Sequence, residues 1–248
     1  MSGRVALVTG GTRGIGLTIA RALGADGAAL VLTYLRNHAA AEAAACALRD
    51  EGRQVTVVQA DSAHRKDQER VFERVRQEHG RLDVLVSNGG GGFFGPTLGV
   101  SDQQWRWTMD ANAKALLMQA QLAAPLMEGR AGKIVTLVSA GAERAIENYG
   151  VIGVAKAAAI AVVRYLALEL GPRGINVNAV SAGLVDTEAV RDMPQRKLLM
   201  RVVRMRTPMR RLTTTEDVAR AVVFLCSDAA AMIHGHTLVV DGGLSMRW

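Results

Sequence analysis

The sequence predicts a single α/β domain built on a Rossmann-type, doubly wound parallel sheet, and three observations carry that expectation. Short β-branched runs alternate with longer helical patterns along the whole chain. The first of these runs ends in a glycine-rich turn that opens a helix. With 248 residues, 49% of them hydrophobic, the chain can bury one large core. Strand–helix alternation of this regularity argues for parallel strands joined by helical crossovers on both faces of a sheet.

Taken in order, 5–9, 29–33, 55–59, 84–87, 134–138, 175–179 and 237–240 read as strands, because each is a short apolar run rich in Val, Ile and Thr. Helical patterns lie near 16–25, 39–51, 67–79, 102–127, 151–170 and 215–227. The last opens with Thr214 three residues before Asp217, the spacing of a capping box. There is no internal repeat, low-complexity tract or linker, so 1–248 is expected to be one domain. The segment 191–211 stands apart as weakly patterned and densely basic.

Composition narrows the functional classes. Charged residues break the apolar helices, so no membrane span of about 18 residues is expected. The chain starts directly in a strand pattern with no signal-peptide layout. Two cysteines, Cys46 and Cys226, in helical contexts argue against a disulfide or metal framework and suit a reducing cytoplasm. Aromatic residues make up 4% of the chain, too few for a nucleic-acid stacking surface. The net charge of +7 is compatible with an acidic carrier or cofactor, with nucleic acid, or with an Arg-rich proteome. His234 and His236 have no third metal ligand near them in sequence, and His38, His64 and His79 read as surface residues.

The first strand ends in Thr9-Gly10-Gly11-Thr12-Arg13-Gly14-Ile15-Gly16. Glycines at this spacing permit a tight turn, close approach of backbone to a pyrophosphate, and close helix–strand packing. The following helix N-terminus offers free amides and the positive end of its dipole. Dinucleotide binding is therefore expected. The second strand ends in Thr33-Tyr34-Leu35-Arg36-Asn37, without the acid that commonly binds an unphosphorylated ribose. Arg13 and Arg36 together suit a 2′-phosphate, which favours NADPH over NADH.

The glycine loop, Asp61 with Ser62, Ser87-Asn88-Gly89-Gly90, Asn112, Ser139, Lys156 and the closing Val240-Asp241-Gly242-Gly243 resemble the ordered motifs of the short-chain dehydrogenase/reductase family. That resemblance covers essentially the whole chain. It implies cofactor contacts from Asp61, Ser62, Asn88, Gly89, Lys156, Gly183 and Thr187, besides Gly10, Thr12, Arg13, Gly14, Ile15, Gly16 and Arg36. It also implies catalytic roles for Lys156 and Ser139, a helix-bending or water-holding role for Asn112, and a homotetramer. Two departures matter. Asn-Asn-Ala-Gly of the family is Ser-Asn-Gly-Gly here, and Ile152 occupies the place of the tyrosine four residues before Lys156.

Ile152 cannot donate a proton, but Tyr149 lies seven residues before Lys156. Seven helical steps of about 100° return a side chain to within about 20° of its starting direction, so the two would share a helix face. Nine steps put Tyr165 on the opposite face. The spacing Tyr-x6-Lys is similar to that of enoyl-acyl-carrier-protein reductases. The contexts Gly141–Tyr149, Ser181-Ala182-Gly183, Trp105-x-Trp107-Thr108-Met109 and Asn112-Ala113-Lys114-Ala115-Leu116 look most like the NADPH-dependent type III enzymes.

The resemblance implies hydride transfer from NADPH to the C=C bond of an enoyl thioester carried on acyl carrier protein or coenzyme A. Tyr149 would meet the developing enolate oxygen, and Lys156 would hold the ribose and favour the phenolate. Two alternatives stand beside it: a ketone or β-ketoacyl thioester reductase with a displaced tyrosine, and a catalytically inactive nucleotide sensor. Within the resemblance, 191–211 corresponds to a flap over the substrate. Its Arg191, Arg196, Lys197, Arg201, Arg204, Arg206, Arg210 and Arg211 suit an acidic carrier or coenzyme A phosphates, or simply form a solvated face. Phe93-Phe94 either lines an acyl pocket or packs its own loop.

Overall fold

The structure, a computed structural model, describes residues 1–190 and 196–246. Seven strands form one sheet: β1 (Val5–Val8), β2 (Ala29–Tyr34), β3 (Val55–Gln59), β4 (Val84–Ser87), β5 (Lys133–Ser139), β6 (Asn176–Ala182) and β7 (Thr237–Val240). All pairings are parallel, in the order β3-β2-β1-β4-β5-β6-β7. The crossovers run through α1 (Gly14–Ala25), α2 (His38–Asp50), α3 (Arg65–His79), α4 (Asp102–Met109), α5 (Ala115–Met127), α6 (Gly150–Leu170), α7 (Arg196–Arg206) and α8 (Thr215–Cys226).

Strand alternation divides the core in two. Along β1, Val5 and Leu7 join the cluster beneath α3, α5 and α6, while Ala6 and Val8 join the one beneath α1 and α8. Both faces are covered, which is why the strands read as continuous apolar runs. Full burial of a side chain such as Leu7, Ile19 or Ile134 stabilises the fold by roughly 1.5–3 kcal/mol each. The capping box at α8 forms as the spacing indicates: Thr214 Oγ1 accepts from the Asp217 amide at 3.2 Å, and Asp217 Oδ2 accepts from the Thr214 amide at 3.0 Å.

Four expectations need correction. The helix expected over 102–127 is interrupted at Asp110–Lys114 by a π-helical turn. The sixth strand runs on to Ala182, because Ser181 and Ala182 pair with Val138 and Ser139 of β5. The basic segment contains a helix, α7, whose half-buried Val202 and Val203 stand among exposed cations. Finally, the helical stretch 150–173 is long and apolar enough to cross a membrane by length and composition, with a mean hydropathy of 1.9. In this fold α6 instead crosses the sheet, burying Ala159, Ile160, Val163 and Leu166 in the core.

Candidate active site

The expected motifs meet at the carboxyl ends of β1, β4, β5 and β6, beside the point between β1 and β4 where the strand order reverses. A crevice at that position is where open parallel sheets bind ligands.

The glycine loop is built from backbone and fixed from behind by Thr9 and Asn88. Thr9 is fully buried, and its hydroxyl accepts from the amides of Asn88 at 3.1 Å and Gly89 at 2.9 Å. Asn88 Nδ2 donates to the carbonyls of Thr9 at 3.0 Å and Gly10 at 3.1 Å. Gly10 and Gly14 hold φ of +60° and +51°, a region that favours glycine. A Cβ on Gly16 would lie 2.2 Å from the Gly10 carbonyl oxygen and 2.6 Å from Asn88 Nδ2, so no side chain fits there. One on Gly89 would lie 2.8 Å from Ser62 Oγ.

The start of α1 is left open for an anion. Arg13 occupies its N-cap without a side-chain hydrogen bond, and no acidic residue sits in the first turn. By contrast α4 and α8 both begin with complete capping boxes. Uncapped amides at a helix N-terminus, beside a turn with no room for side chains, fit the phosphates of a dinucleotide. Thr12 is buried and Ile15 half-buried behind this turn. Thr187 comes close as well, its Cγ2 3.6 Å from where a Cβ on Gly14 would lie. Gly183 holds that segment to β7 through its amide, bonded to the Val240 carbonyl at 2.9 Å.

The loop is stitched to the end of β2, since Gly10 N donates to Thr33 Oγ1 at 3.1 Å and Gly11 N to Thr33 O at 3.1 Å. Arg36, three residues further on, is exposed, and its guanidinium has no partner among the described residues. Arg13 makes one exposed ion pair, with Glu188 at 3.4 Å. Asp61 caps its own turn, accepting from the Ala63 amide at 2.8 Å.

At the end of β5, Ser139 Oγ and Tyr149 Oη are 3.1 Å apart. Tyr149 is not within a helix, as the face argument assumed; it is the N-cap of α6, with φ −110° and ψ 6°. Asn148 before it takes a left-handed φ of +59°. The Tyr149 ring lies against Gly141, where a Cβ would fall 2.5 Å from the ring. Burial pushes the Tyr149 phenol above its ordinary range, a rise the Ser139 hydrogen bond only partly opposes.

Lys156 sits inside α6, and its Nζ donates to the Leu137 carbonyl at 2.8 Å. Burial lowers its pKa to about 8. The phenol is shifted toward its protonated form, and the ammonium is turned to a strand carbonyl. Two of its three hydrogens are left for a ligand. Ile152 packs beneath Gly92, where a Cβ would meet Ile152 Cγ1 at 2.4 Å. Asn112 lies in the π-helical turn, its Nδ2 donating to Gly91 O at 2.7 Å and Thr108 O at 2.8 Å.

Several features were not evident from sequence. Thr9 is the buried centre of the loop network; its place between strand and first glycine was the available signal. The Phe93-Phe94 alternatives separate: Phe93 folds over Gly95, and Phe94 meets the Tyr149 ring edge-on, with centroids 6.5 Å apart. His234 is structural, accepting from Val177 N at 3.1 Å through Nδ1 and donating to Ala167 O at 2.7 Å through Nε2. His79 is half-buried at the end of α3, its Nε2 covered and 3.8 Å from Glu78 Oε2. In the basic segment, Arg196 bonds Asp186, and Arg211 bonds Asp217. Lys197, Arg201, Arg204 and Arg206 make no ion pair among the described residues, and Arg191 lies outside those residues.

Comparison with known proteins agrees with this geometry. Residues 10–245 match the family described as Enoyl-(Acyl carrier protein) reductase. A 1-cyclohexenylcarbonyl-CoA reductase of Streptomyces collinus is 38% identical over 98% of this chain and 87% of its own length. Human dehydrogenase/reductase SDR family member 4 is 36% identical over 100% of this chain and 89% of its own. Among solved structures, a short chain dehydrogenase from Burkholderia cenocepacia in complex with NADP superposes with a TM-score of 0.92, at 33% identity over 98% of each chain. A 7α-hydroxysteroid dehydrogenase complexed with NADH and 7-oxo glycochenodeoxycholic acid gives 0.93, at 31% identity over 98% of this chain and 94% of the other. With the fold, the open glycine turn and the Ser139–Tyr149 pair in place, the chain belongs to the short-chain dehydrogenase/reductase family of oxidoreductases.

Proposed function

We propose that the protein uses NADPH to reduce the C=C bond of an enoyl thioester. The carrying observation is the pairing of Tyr149 Oη with Ser139 Oγ at 3.1 Å, while the usual tyrosine position is filled by the aliphatic Ile152. The bound cofactor would supply hydride to Cβ of the enoyl group. Charge then develops on the thioester oxygen, two bonds further from the hydride acceptor than the oxygen of a ketone is. A phenol at the N-cap of α6, ahead of the ordinary position, suits that more remote oxygen. Being shifted toward its protonated form, Tyr149 is fitted to donate a hydrogen bond to the enolate oxygen. Ser139 orients the phenol, and a proton taken up from solvent at Cα completes the saturated product.

Lys156 is proposed to hold the nicotinamide ribose with the two ammonium hydrogens that the Leu137 carbonyl leaves free. Asn112 holds the Gly90–Gly91 stretch and bends the helix, which is a positioning role. Arg36 and Arg13 would meet the 2′-phosphate, and the solved relative with NADP supports that choice. The Arg36→Ala variant is expected to lose most of the preference for NADPH over NADH, read from the two dissociation constants. Equal affinities in the wild type would overturn the assignment. Residues 191–211, with α7 at their centre, form the proposed substrate flap, and the coenzyme A thioester named for the Streptomyces relative supports a phosphate-bearing carrier. A cytoplasmic homotetramer completes the proposal, with Tyr165 and Leu168 of α6 and Val239 of β7 as exposed apolar candidates for its contacts.

The adjacency of Ser139 and Tyr149 also favours a second reading, ketone or β-ketoacyl thioester reduction, since both hydroxyls could bind one carbonyl oxygen. NADPH consumption with an enoyl and a ketoacyl coenzyme A thioester, run side by side, decides between the two. Turnover of the ketoacyl substrate alone would reject the primary reading.

A further inference from the structure

We propose that Phe94 and Ile146 form a subsite for an uncharged hydrocarbon acyl group, with Phe94 setting its width. The proposal rests on the enoyl-thioester reading of Tyr149. Phe94 is 41% exposed and Ile146 43% exposed, although both lie near the half-buried Tyr149. The Phe94 ring stands at 67° to the Tyr149 ring, edge to face. Ile146 Cδ1 reaches the Gly141 surface on which the Tyr149 ring also lies: a Cβ there would be 3.5 Å from Ile146 and 2.5 Å from Tyr149. Open hydrocarbon beside one well-placed hydroxyl is the composition of a small-molecule site, where apolar walls give affinity and few polar groups give orientation.

Neighbouring Phe93 provides the contrast. Its amide is held by Thr108 Oγ1 at 3.1 Å, and its ring covers Gly95, where a Cβ would lie 2.6 Å from Phe93 Cζ. Phe93 packs the loop and Phe94 is left to face a ligand.

The loop is also fixed relative to the tyrosine. Gly95 N donates to the Asn148 carbonyl at 2.7 Å, and Gly150 sits so near Thr97 that a Cβ would fall 2.0 Å from Thr97 Oγ1. With Gly92 against Ile152, these contacts join residues 92–97 to residues 148–152 at three points. An acyl group held against Phe94 is thereby held in register with the Tyr149 hydroxyl, so the subsite works by preorganisation.

The test separates binding from chemistry by using saturated acyl-coenzyme A thioesters, which cannot be reduced at a C=C bond. Dissociation constants for acetyl-coenzyme A and hexanoyl-coenzyme A are measured by calorimetry with NADP⁺ present. The hexanoyl compound should bind about tenfold more tightly or better, as expected if part of the added methylenes is buried. Phe94→Ala should remove most of that difference while leaving acetyl-coenzyme A binding nearly unchanged; Phe93→Ala should preserve the difference even where it lowers the melting temperature. Equal affinities in the wild type, or a chain-length difference that survives Phe94→Ala, would overturn the subsite. If the binding result holds and no enoyl thioester is turned over, the subsite stands and the reaction assigned to Tyr149 fails.

Discussion

The two sides of the crevice are built on different principles. On the nucleotide side, the turn from β1 into α1 is shaped by missing side chains: Gly10 and Gly14 take left-handed φ, Gly16 lets backbone pack against Gly10 and Asn88, and α1 leaves its first amides uncapped. On the proposed acyl side, side chains from distant segments converge: Ser139 from the end of β5, Tyr149 from the cap of α6, and Phe94 from the loop after β4. The first arrangement tolerates little change because backbone cannot move out of the way. The second leaves more room for change, because side chains can rotate where backbone cannot.

Matched glycine substitutions test this difference most severely. At Gly16 an added methyl would meet the Gly10 carbonyl at 2.2 Å, and only a backbone shift relieves that clash. Gly16→Ala is therefore expected to abolish detectable NADPH binding by fluorescence titration. At Gly141 the added methyl would meet the Tyr149 ring at 2.5 Å, a side chain that can rotate away. Gly141→Ala should bind NADPH as wild type does and lose turnover. Equal loss of cofactor affinity in both variants would break the distinction.

The same difference explains what the sequence revealed. Spacing alone identifies a turn made of glycines, because its geometry is local and admits few residue types. Strand and helix order was legible for similar reasons, through apolar runs and the Thr214–Asp217 cap. The Ser139–Tyr149 contact was not, because it depends on Asn148 taking a left-handed φ and moving Tyr149 out of the helix. Helix-face counting put Tyr149 on the Lys156 face by assuming a helical conformation that Tyr149 does not adopt. The π-helical turn at Asp110–Lys114 is equally hidden; it coincides with the Asn112 amide bonding Gly91 across the fold.

Tyr149→Phe addresses the acyl side directly. It removes the hydroxyl and keeps the ring that Gly141 and Phe94 support. Loss of one donor to a developing oxyanion typically lowers kcat by about 10²–10³-fold. NADPH affinity should change little, because the phenol is on the far side of the division drawn above. Ile152→Tyr restores the family's usual pair but presses on Gly92, so it should lower enoyl reduction as well. Near-wild-type turnover by Tyr149→Phe would remove the mechanism argued from this residue.

Lys156 is the proposed ribose anchor, and its burial makes a pH prediction. In the folded, ligand-free protein its pKa is about 8, against an ordinary value of 10.5. A depressed lysine costs stability in full below the folded pKa, and the cost fades as pH rises from about 8 toward 10.5. The shift corresponds to roughly 3 kcal/mol at most, from which the lost hydrogen bond to Leu137 subtracts about 1 kcal/mol. Lys156→Met should therefore raise the melting temperature of the ligand-free protein by several degrees at pH 7, less at pH 9.5, while abolishing turnover. A variant that melts lower than wild type at pH 7 would mean that Lys156 is better accommodated than its burial suggests.

The smallest effect is expected from α7, where charge acts through solvent. Lys197, Arg201, Arg204 and Arg206 have no ion pair among the described residues, and they share the helix with exposed Leu198 and Met205. If this surface meets an anionic carrier, each charge contributes only a screened attraction, because the Debye length is about 8 Å at physiological ionic strength. Raising salt should then increase KM for a carrier-bound or coenzyme A thioester by a few-fold, with kcat unchanged. Arg201→Gln with Arg204→Gln should reproduce that rise at low salt and flatten the salt dependence. A small neutral thioester lacking phosphates provides the comparison, since its KM should be indifferent to both salt and the double substitution. Matching behaviour of charged and neutral substrates would reduce α7 to a solvated face. The acyl side would then owe its selectivity to Tyr149, Phe94 and Ile146 alone.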